Sequence, residues 1–368
     1  MTIHNEIDAA GALRQSNAAS PPSRMLVFRR GSIGDAVVSI PALNHIRQKF
    51  AQSEIYCLSN SPVMEAASPV KSVLDGSGLI DGFIDLPPGG GSMVSLARHA
   101  ARIRELKFEV LIYLSEPSSR PALVKEALFF RLCGIPRMLN LPFASAMRIY
   151  RKRNEKLWES EAERLLRVTA GEGAHDLDWN FRFSGQEEKQ AQQMLKNFAA
   201  ADGRIAFSLG AKLPDKDWGD RNWVNVLSEI SRKRPTLGLI GIGAKEDFAR
   251  TQEIMEAWSG PAINLCGASE PRISALTMKG AAFYLGHDSG PMHLAVLVGT
   301  CCVAVFSARA KPGVWFPHGQ GHRIFYPWDL AGKVTDKAGF RTAGQSIQSI
   351  DPAEVVKACV SILDEKGA

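Results

Sequence analysis

Nothing in this 368-residue chain stays apolar for the ~18 residues that a membrane-spanning helix needs. The longest apolar stretch, Leu294 to Phe306, is interrupted by Gly299-Thr300 and reads as a helix followed by a strand. Residues 1–23 lack the apolar middle of a secretory leader and read as a disordered lead-in. Cysteine is scarce, with six residues (Cys57, Cys133, Cys266, Cys301, Cys302, Cys359), none at metal-ligand spacing. Their apolar settings predict reduced, buried, structural thiols and a cytoplasmic address. The first strand-to-helix turn has no G-x-G-x-x-G, and the second strand ends Leu58-Ser59-Asn60 with no acid, which disfavours a dehydrogenase. Recognition motifs and interleaved aromatics for nucleic acid are also missing.

What is present is ordinary for a globular protein: 45% hydrophobic and 22% charged residues. The length predicts about two domains. In both halves short β-like runs alternate with helical ones, the signature of parallel sheets wrapped by helices. Strands are expected near 25–28, 54–58, 83–86, 110–114, 138–139, 205–209, 237–241, 263–266, 282–285 and 302–306, with one strand-like run at 179–183. One helix is read across Ala36 to Phe50, with Pro41 inside it. The division predicted is a lead-in (1–23), an N-terminal Rossmann-like domain (24–185) and a C-terminal one (186–350). A closing helix (351–368) starts at Asp351, with Glu354 in capping-box position, and is expected to pack back on the N-terminal domain. Ligand is expected at the C-terminal ends of the strands. The net charge of +6 is modest. Arg148, Arg151, Lys152 and Arg153 cluster beside Tyr150; a solvated loop explains them, and a patch for an anionic lipid surface is the alternative.

Four motifs fall at predicted strand ends. Leu285-Gly286-His287-Asp288-Ser289-Gly290-Pro291-Met292-His293 reads as a strand that turns into a helix. Free amides and the positive end of the helix dipole there suit a phosphate, although Asp and Ser are also plain helix caps. Arg29-Arg30-Gly31-Ser32-Ile33-Gly34-Asp35 makes a tight turn after the first strand, where Asp35 also suits a helix start. The loop from Ser208 to Trp218 brings Lys212 and Lys216 to a strand edge, as phosphate binding or a solvated loop would. Gly241-Ile242-Gly243-Ala244-Lys245-Glu246 places Glu246 where it could accept from ribose hydroxyls or simply favour the helix dipole.

In this order the pieces resemble glycosyltransferase family 9, the bacterial heptosyltransferases, over about residues 24 to 310. The matching motifs are Gly31-Ser32-Ile33-Gly34-Asp35 with Pro41-Ala42-Leu43, Lys216-x-Trp218, Gly243-x-x-Glu246, and Asp288-Ser289-Gly290-Pro291-x-His293 with Gly299-Thr300. The resemblance implies an α/β fold of two Rossmann-like domains facing across a cleft, the GT-B architecture. It also implies an inverting, metal-independent transferase with no cofactor. Such an enzyme moves a sugar, a heptose from ADP-heptose, from a nucleotide-diphosphate donor to a lipid-linked or lipopolysaccharide core acceptor. By the same resemblance Asp35 is the general base and Lys216 binds donor phosphate. Glu246 contacts ribose, and Asp288, Ser289, Gly290 and His293 line the donor site; His293 could equally be a packed side chain. The partners expected are donor and acceptor, with peripheral contact to the inner membrane through basic residues, and no nucleic acid. Residues 316–346 depart from the family by lacking a cysteine cluster. A nucleotide-sugar epimerase of the same architecture and a non-catalytic nucleotide-sugar binder are the rival readings.

Overall fold

Strands that read as unbroken apolar runs should be covered on both faces, and β1 (Arg24–Phe28) meets this with every residue after the first buried. The computed structural model describes residues 21–60, 68–86, 92–116, 119–173, 176–198, 200, 202–210, 213–330 and 346–367. Most of the lead-in, Lys212 and residues 331–345 lie outside them. The chain divides into two compact units.

The first unit comprises the described residues up to Arg151 together with Glu159–Arg182. After β1 come α1 (Ile33–Val38), α2 (Ile40–Lys49), β2 (Glu54–Asn60), α3 (Lys71–Leu74), β3 (Gly82–Leu86) and α4 (Met93–Glu105). Then follow β4 (Val110–Tyr113), α5 (Arg120–Leu132), β5 (Arg137–Leu139), α6 (Ser145–Arg148) and α7 (Glu161–Ala170). The five strands are parallel in the order β3-β2-β1-β4-β5. The helix read from 36 to 50 is two helices broken at Ser39, with Pro41 in the first turn of α2, where its missing N–H costs nothing. The run at 179–183 is not a strand. Asn44 Nδ2 donates to the carbonyls of Asp178 and Asn180 (2.8 and 2.9 Å), so a side chain takes the place of a ladder there.

The second unit comprises Lys152–Trp158 and Phe183 onward, so the chain changes unit earlier and more often than the predicted single boundary at 185. Its elements are α8 (Gly185–Leu195), β6 (Arg204–Ser208), α9 (Asp220–Lys233), β7 (Gly238–Gly241), α10 (Phe248–Met255) and β8 (Ala262–Asn264). They continue with α11 (Pro271–Met278), β9 (Tyr284–His287), α12 (Gly290–Leu297), β10 (Cys302–Val305), β11 (Arg323–Phe325) and α13 (Pro352–Lys366). Six parallel strands take the order β11-β10-β9-β6-β7-β8, the doubly wound Rossmann order. The closing helix, α13, is part of the second unit. Val355, Cys359, Ile362 and Leu363 are buried in the second unit's core, and α13 packs on α9. All six thiols are free and five are buried; burial pushes Cys57 and Cys133 up to about 12, as structural thiols require.

Candidate active site

Each unit has a topological switch point, between β1 and β4 in the first and between β6 and β9 in the second. Ligands of open α/β sheets bind beyond the carboxyl ends of the strands at such points. Three of the four predicted motifs lie there, and the fourth, around Glu246, follows the neighbouring β7.

In the first unit Arg29 leaves the end of β1 and is 1% exposed. Its Nε and Nη2 donate to the Asp35 carbonyl (3.0 and 2.9 Å), and Nη2 also reaches Asp35 Oδ1 at 3.4 Å. Nη1 donates to the Leu114 carbonyl (2.7 Å) and pairs with Glu161 at 3.3 Å. Glu161 is itself buried, doubly bonded by Arg164 (2.7 and 2.8 Å) and bonded by the Tyr150 hydroxyl at 2.9 Å. Burial alone would push the Glu161 carboxyl up; Arg164 and Arg29 outweigh it and hold the group low. Asp35 Oδ2 accepts from the Ser32 N–H at 2.9 Å, closing the turn. Gly31 sits at φ +129°, and a Cβ there would lie 2.1 Å from the Asp35 carboxyl carbon. Only glycine lets the carboxylate stand in this place. Partial desolvation, and then the charges of Asp35 and Glu161, push the nearby Glu116 carboxyl up.

In the second unit Lys216 closes a short 3-10 turn (Pro214–Lys216) and reaches Asp288, with Nζ 2.5 Å from Oδ2 and 3.3 Å from the carbonyl. Asp288 is followed by Ser289, the N-cap of α12, and Gly290, its first residue. The first-turn amides of α12 have no intrahelical partner, and Ser289's hydroxyl does not cap them. A lysine, a carboxylate that holds it and an amide-rich helix start are thus brought together from positions 72 residues apart. His293 is buried, edge-on to Trp315 at 6.0 Å between ring centres. Glu246, in the 3-10 turn Lys245–Asp247, is exposed. Its neighbour Asp247 turns back instead, accepting from the Ala244 N–H at 2.9 Å and facing Gly210 and Gly243.

Sequence reasoning missed His287, which it left without a role in the turn after a strand ending at Leu285. The imidazole is fully buried; Nε2 accepts from the Trp218 N–H (2.9 Å), so Nδ1 carries the proton and donates to the Leu209 carbonyl (3.1 Å). It therefore ties the end of β6 to the Lys216-x-Trp218 loop. Trp218 and Trp223, both buried, meet edge-on at 4.8 Å, and Trp223 lies edge-on to His287 at 5.0 Å. Burial pushes the imidazole down to about 4, so the neutral clip persists at ordinary pH. The Arg29–Glu161 network was missed too, its partners being 132 residues apart. Past the ends of β10 and β11, Phe316 packs edge-on to Phe306, Tyr326 and Trp328, which explains the aromatic character of the first part of the cysteine-free region. Among the described residues no group of three or more His, Cys, Asp or Glu could hold a metal ion.

Solved structures share this fold. A glycosyltransferase of family 9 from Veillonella parvula DSM 2008 is 19% identical, with a TM-score of 0.71 over 93% of this chain and 98% of that one. The ADP-heptose lps heptosyltransferase II of E. coli is 17% identical, with a TM-score of 0.67 over 94% of this chain and 100% of that one. The E. coli heptosyltransferase WaaC, solved with ADP-2-deoxy-2-fluoro heptose, is 14% identical, with a TM-score of 0.56 over 82% of this chain and 92% of that one. Among curated protein sequences none matches the chain closely enough to count as a relative. The family model for glycosyltransferase family 9 (heptosyltransferase) matches residues 96–327, well over half of the chain and the whole second switch point. With α/β Rossmann-like sheets in both units and the motifs gathered at their strand ends, the chain belongs to glycosyltransferase family 9 and is a glycosyltransferase.

Proposed function

We propose that the protein transfers a heptose from ADP-heptose to a lipid-borne glycan of the lipopolysaccharide core type, with inversion and without a metal. The observation that carries this reading is the family match across residues 96–327, which spans the Lys216–Asp288 pair and the start of α12. The donor diphosphate binds at that start, drawing Lys216 Nζ away from Asp288 and accepting from the first-turn amides of α12. Asp288, Ser289, Gly290 and His293 shape this donor site, and Glu246 meets the ribose.

Asp35 is the general base. It takes the proton of the acceptor hydroxyl as that oxygen bonds to the anomeric carbon, while the bond from that carbon to the diphosphate oxygen breaks with its electron pair. Lys216 and the helix dipole stabilise the negative charge that gathers on the leaving ADP. Arg29 has a holding role, fixing the Asp35 backbone and grazing its carboxylate. Among the described residues no helix is long and apolar enough to cross a membrane; on this reading the lipid-borne acceptor is met at the bilayer surface, on its cytoplasmic side.

A thermal-shift panel of nucleoside diphosphates and their sugars tests the donor assignment, because a ligand that binds only the folded state raises the melting point. ADP-heptose and ADP are expected to give the largest shifts, and a larger shift from a uridine or guanosine series would overturn it. Donor incubated alone should come back unchanged, and heptose should move only when extracted lipid acceptor is added. Appearance of an altered sugar nucleotide without acceptor would mean epimerisation instead.

A further inference from the structure

Exposed large apolar side chains are unevenly spread among the described residues. Val94, Val124, Leu128, Leu132, Phe143 and Ile149 belong to the first unit, against Val224, Phe248 and Trp328 in the second. Val124, Leu128 and Leu132, exposed by 47, 59 and 62%, stand four residues apart and form one stripe along α5. The other side of α5, Leu123 and Phe130, is buried against the sheet. Beside it α4 buries Ala100 and Ile103 in the same cluster. The outward side of α4 carries Val94, Arg98 and Arg102, again four apart and all exposed.

The polar surroundings of the stripe have one sign. Lys125 borders it on one side and Arg120 and Arg131 on the other, all exposed. The one carboxylate of α5, Glu126, turns elsewhere: it accepts from the Tyr113 hydroxyl at 2.7 Å and pairs with Arg30 at 3.0 Å. Two neighbouring helices therefore present an apolar ridge beside a mainly cationic one, on which Glu105, at the end of α4, is the one exposed carboxylate. Both helices begin just past the carboxyl ends of β3 and β4, the edge of the sheet to which Asp35 belongs. Such a face matches the boundary between the anionic headgroups and the acyl chains of a bilayer, where leucines enter and long cationic side chains reach back to phosphate. The Arg148–Arg153 run fits less well, since Arg151 is spent on Glu172 and Lys152 lies over the Trp158 ring at 5.4 Å.

We propose that the outward face of α4 and α5 docks the protein on an anionic lipid bilayer, with Leu128 and Leu132 as the inserted ridge and Arg98 and Arg102 on the headgroups. The purpose of this docking rests on the lipid-borne acceptor reading above; its test does not. The full chain is sedimented with vesicles of phosphatidylcholine, with and without phosphatidylglycerol, in the absence of donor and acceptor. Binding is expected only with phosphatidylglycerol and should weaken as salt screens the cations. Leu128→Glu with Leu132→Glu should lower the partition coefficient roughly tenfold or more, and Arg98→Glu by less. These positions are exposed, so the melting point should stay within about 2 °C, which separates lost docking from lost folding. Wild-type protein left in the supernatant with both vesicle types would overturn the proposal, as would a double variant that sediments like wild type. So would a concentration-dependent dimer in light scattering that Leu128→Glu dissociates, because a second copy would then cover the face. Vesicle binding by a protein that transfers no heptose would sink the acceptor reading and leave the docking face standing.

Discussion

At the first switch point a carboxylate is braced by a guanidinium; at the second a carboxylate holds an ammonium. Asp35 is set by its own turn, with Gly31 clearing the space, Ser32 bonding one oxygen and buried Arg29 bonding the carbonyl. Arg29 in turn is anchored to Glu161, and that pair is buried on both sides. None of these contacts can be given up cheaply, because an orphaned buried charge costs about 3–5 kcal/mol. Lys216 differs. It is partly exposed, comes from a loop, and its contact with Asp288 can be exchanged for a ligand oxygen. The same strand-end position thus hosts a fixed group in one unit and an exchangeable one in the other. This suits the roles proposed for them, since a base must be aimed in advance, whereas a phosphate clamp must open and close.

Breaking the fixed side should cost most. Asp35→Asn is expected to lower turnover by about 10²- to 10⁴-fold with donor affinity nearly intact, measured by steady-state kinetics beside donor titration. Unchanged turnover would remove Asp35 from the mechanism. Gly31→Ala should come next, with roughly ten- to hundredfold lower turnover, because the added methyl lies where the Asp35 carboxyl now stands. The exchangeable side should fail in binding instead. Lys216→Ala is expected to raise the donor dissociation constant about ten- to hundredfold by calorimetry, and an unaltered constant would deny the lysine its role.

His287 sharpens the contrast through pH. Its folded-state imidazole titrates near 4, below the 6.5 of an unfolded chain, so between those values the unfolded state binds the extra proton. Its contribution to stability is whole above pH 6.5, falls as pH drops through that window and levels off below about 4. The loss amounts to up to about 3 kcal/mol. His287→Asn, which keeps a donor and an acceptor, should flatten this limb in denaturation curves taken across pH and retain donor binding; His287→Ala should flatten it but weaken binding. The smallest effect belongs to Glu246, whose exposed carboxylate should change the donor KM about threefold or less on conversion to Gln.

Much of this was legible in the sequence, and the failures share a cause. Apolar runs announced ten of the strands, most plainly β1, β4, β6, β7, β9 and β10, whose burial on both faces leaves no polar alternation. The one missed, β11, is a three-residue, partly buried edge strand like β5 and β8, and its Arg323-Ile324-Phe325 opens on a charge. The run at 179–183 looked like a strand but found its partner in the Asn44 side chain. Asp35, Lys216 and Asp288 were picked out by local turns and motif order. That Lys216 and Asp288 meet, that Arg29 finds Glu161, and that His287 spans two backbones depend on pairings across the sheets. Local spacing carries no trace of those.

One small feature bears on how this protein can be cut. Residues 152–158 belong with the second unit although the chain on both sides of them belongs to the first. Trp158 donates its N–H to the Pro312 carbonyl at 3.0 Å, and its ring lies beneath Lys152 and Lys311. Gly313, at φ +100°, is needed there because a Cβ would fall 2.4 Å from the Trp158 carbonyl oxygen. A fragment begun at residue 183 would leave that glycine and its neighbours facing water, and a chimera joined at a single midpoint would pair one parent's Trp158 with the other's Pro312-Gly313. Recombination of halves between relatives should therefore carry the seven-residue excursion along with the rear half, as a separate graft.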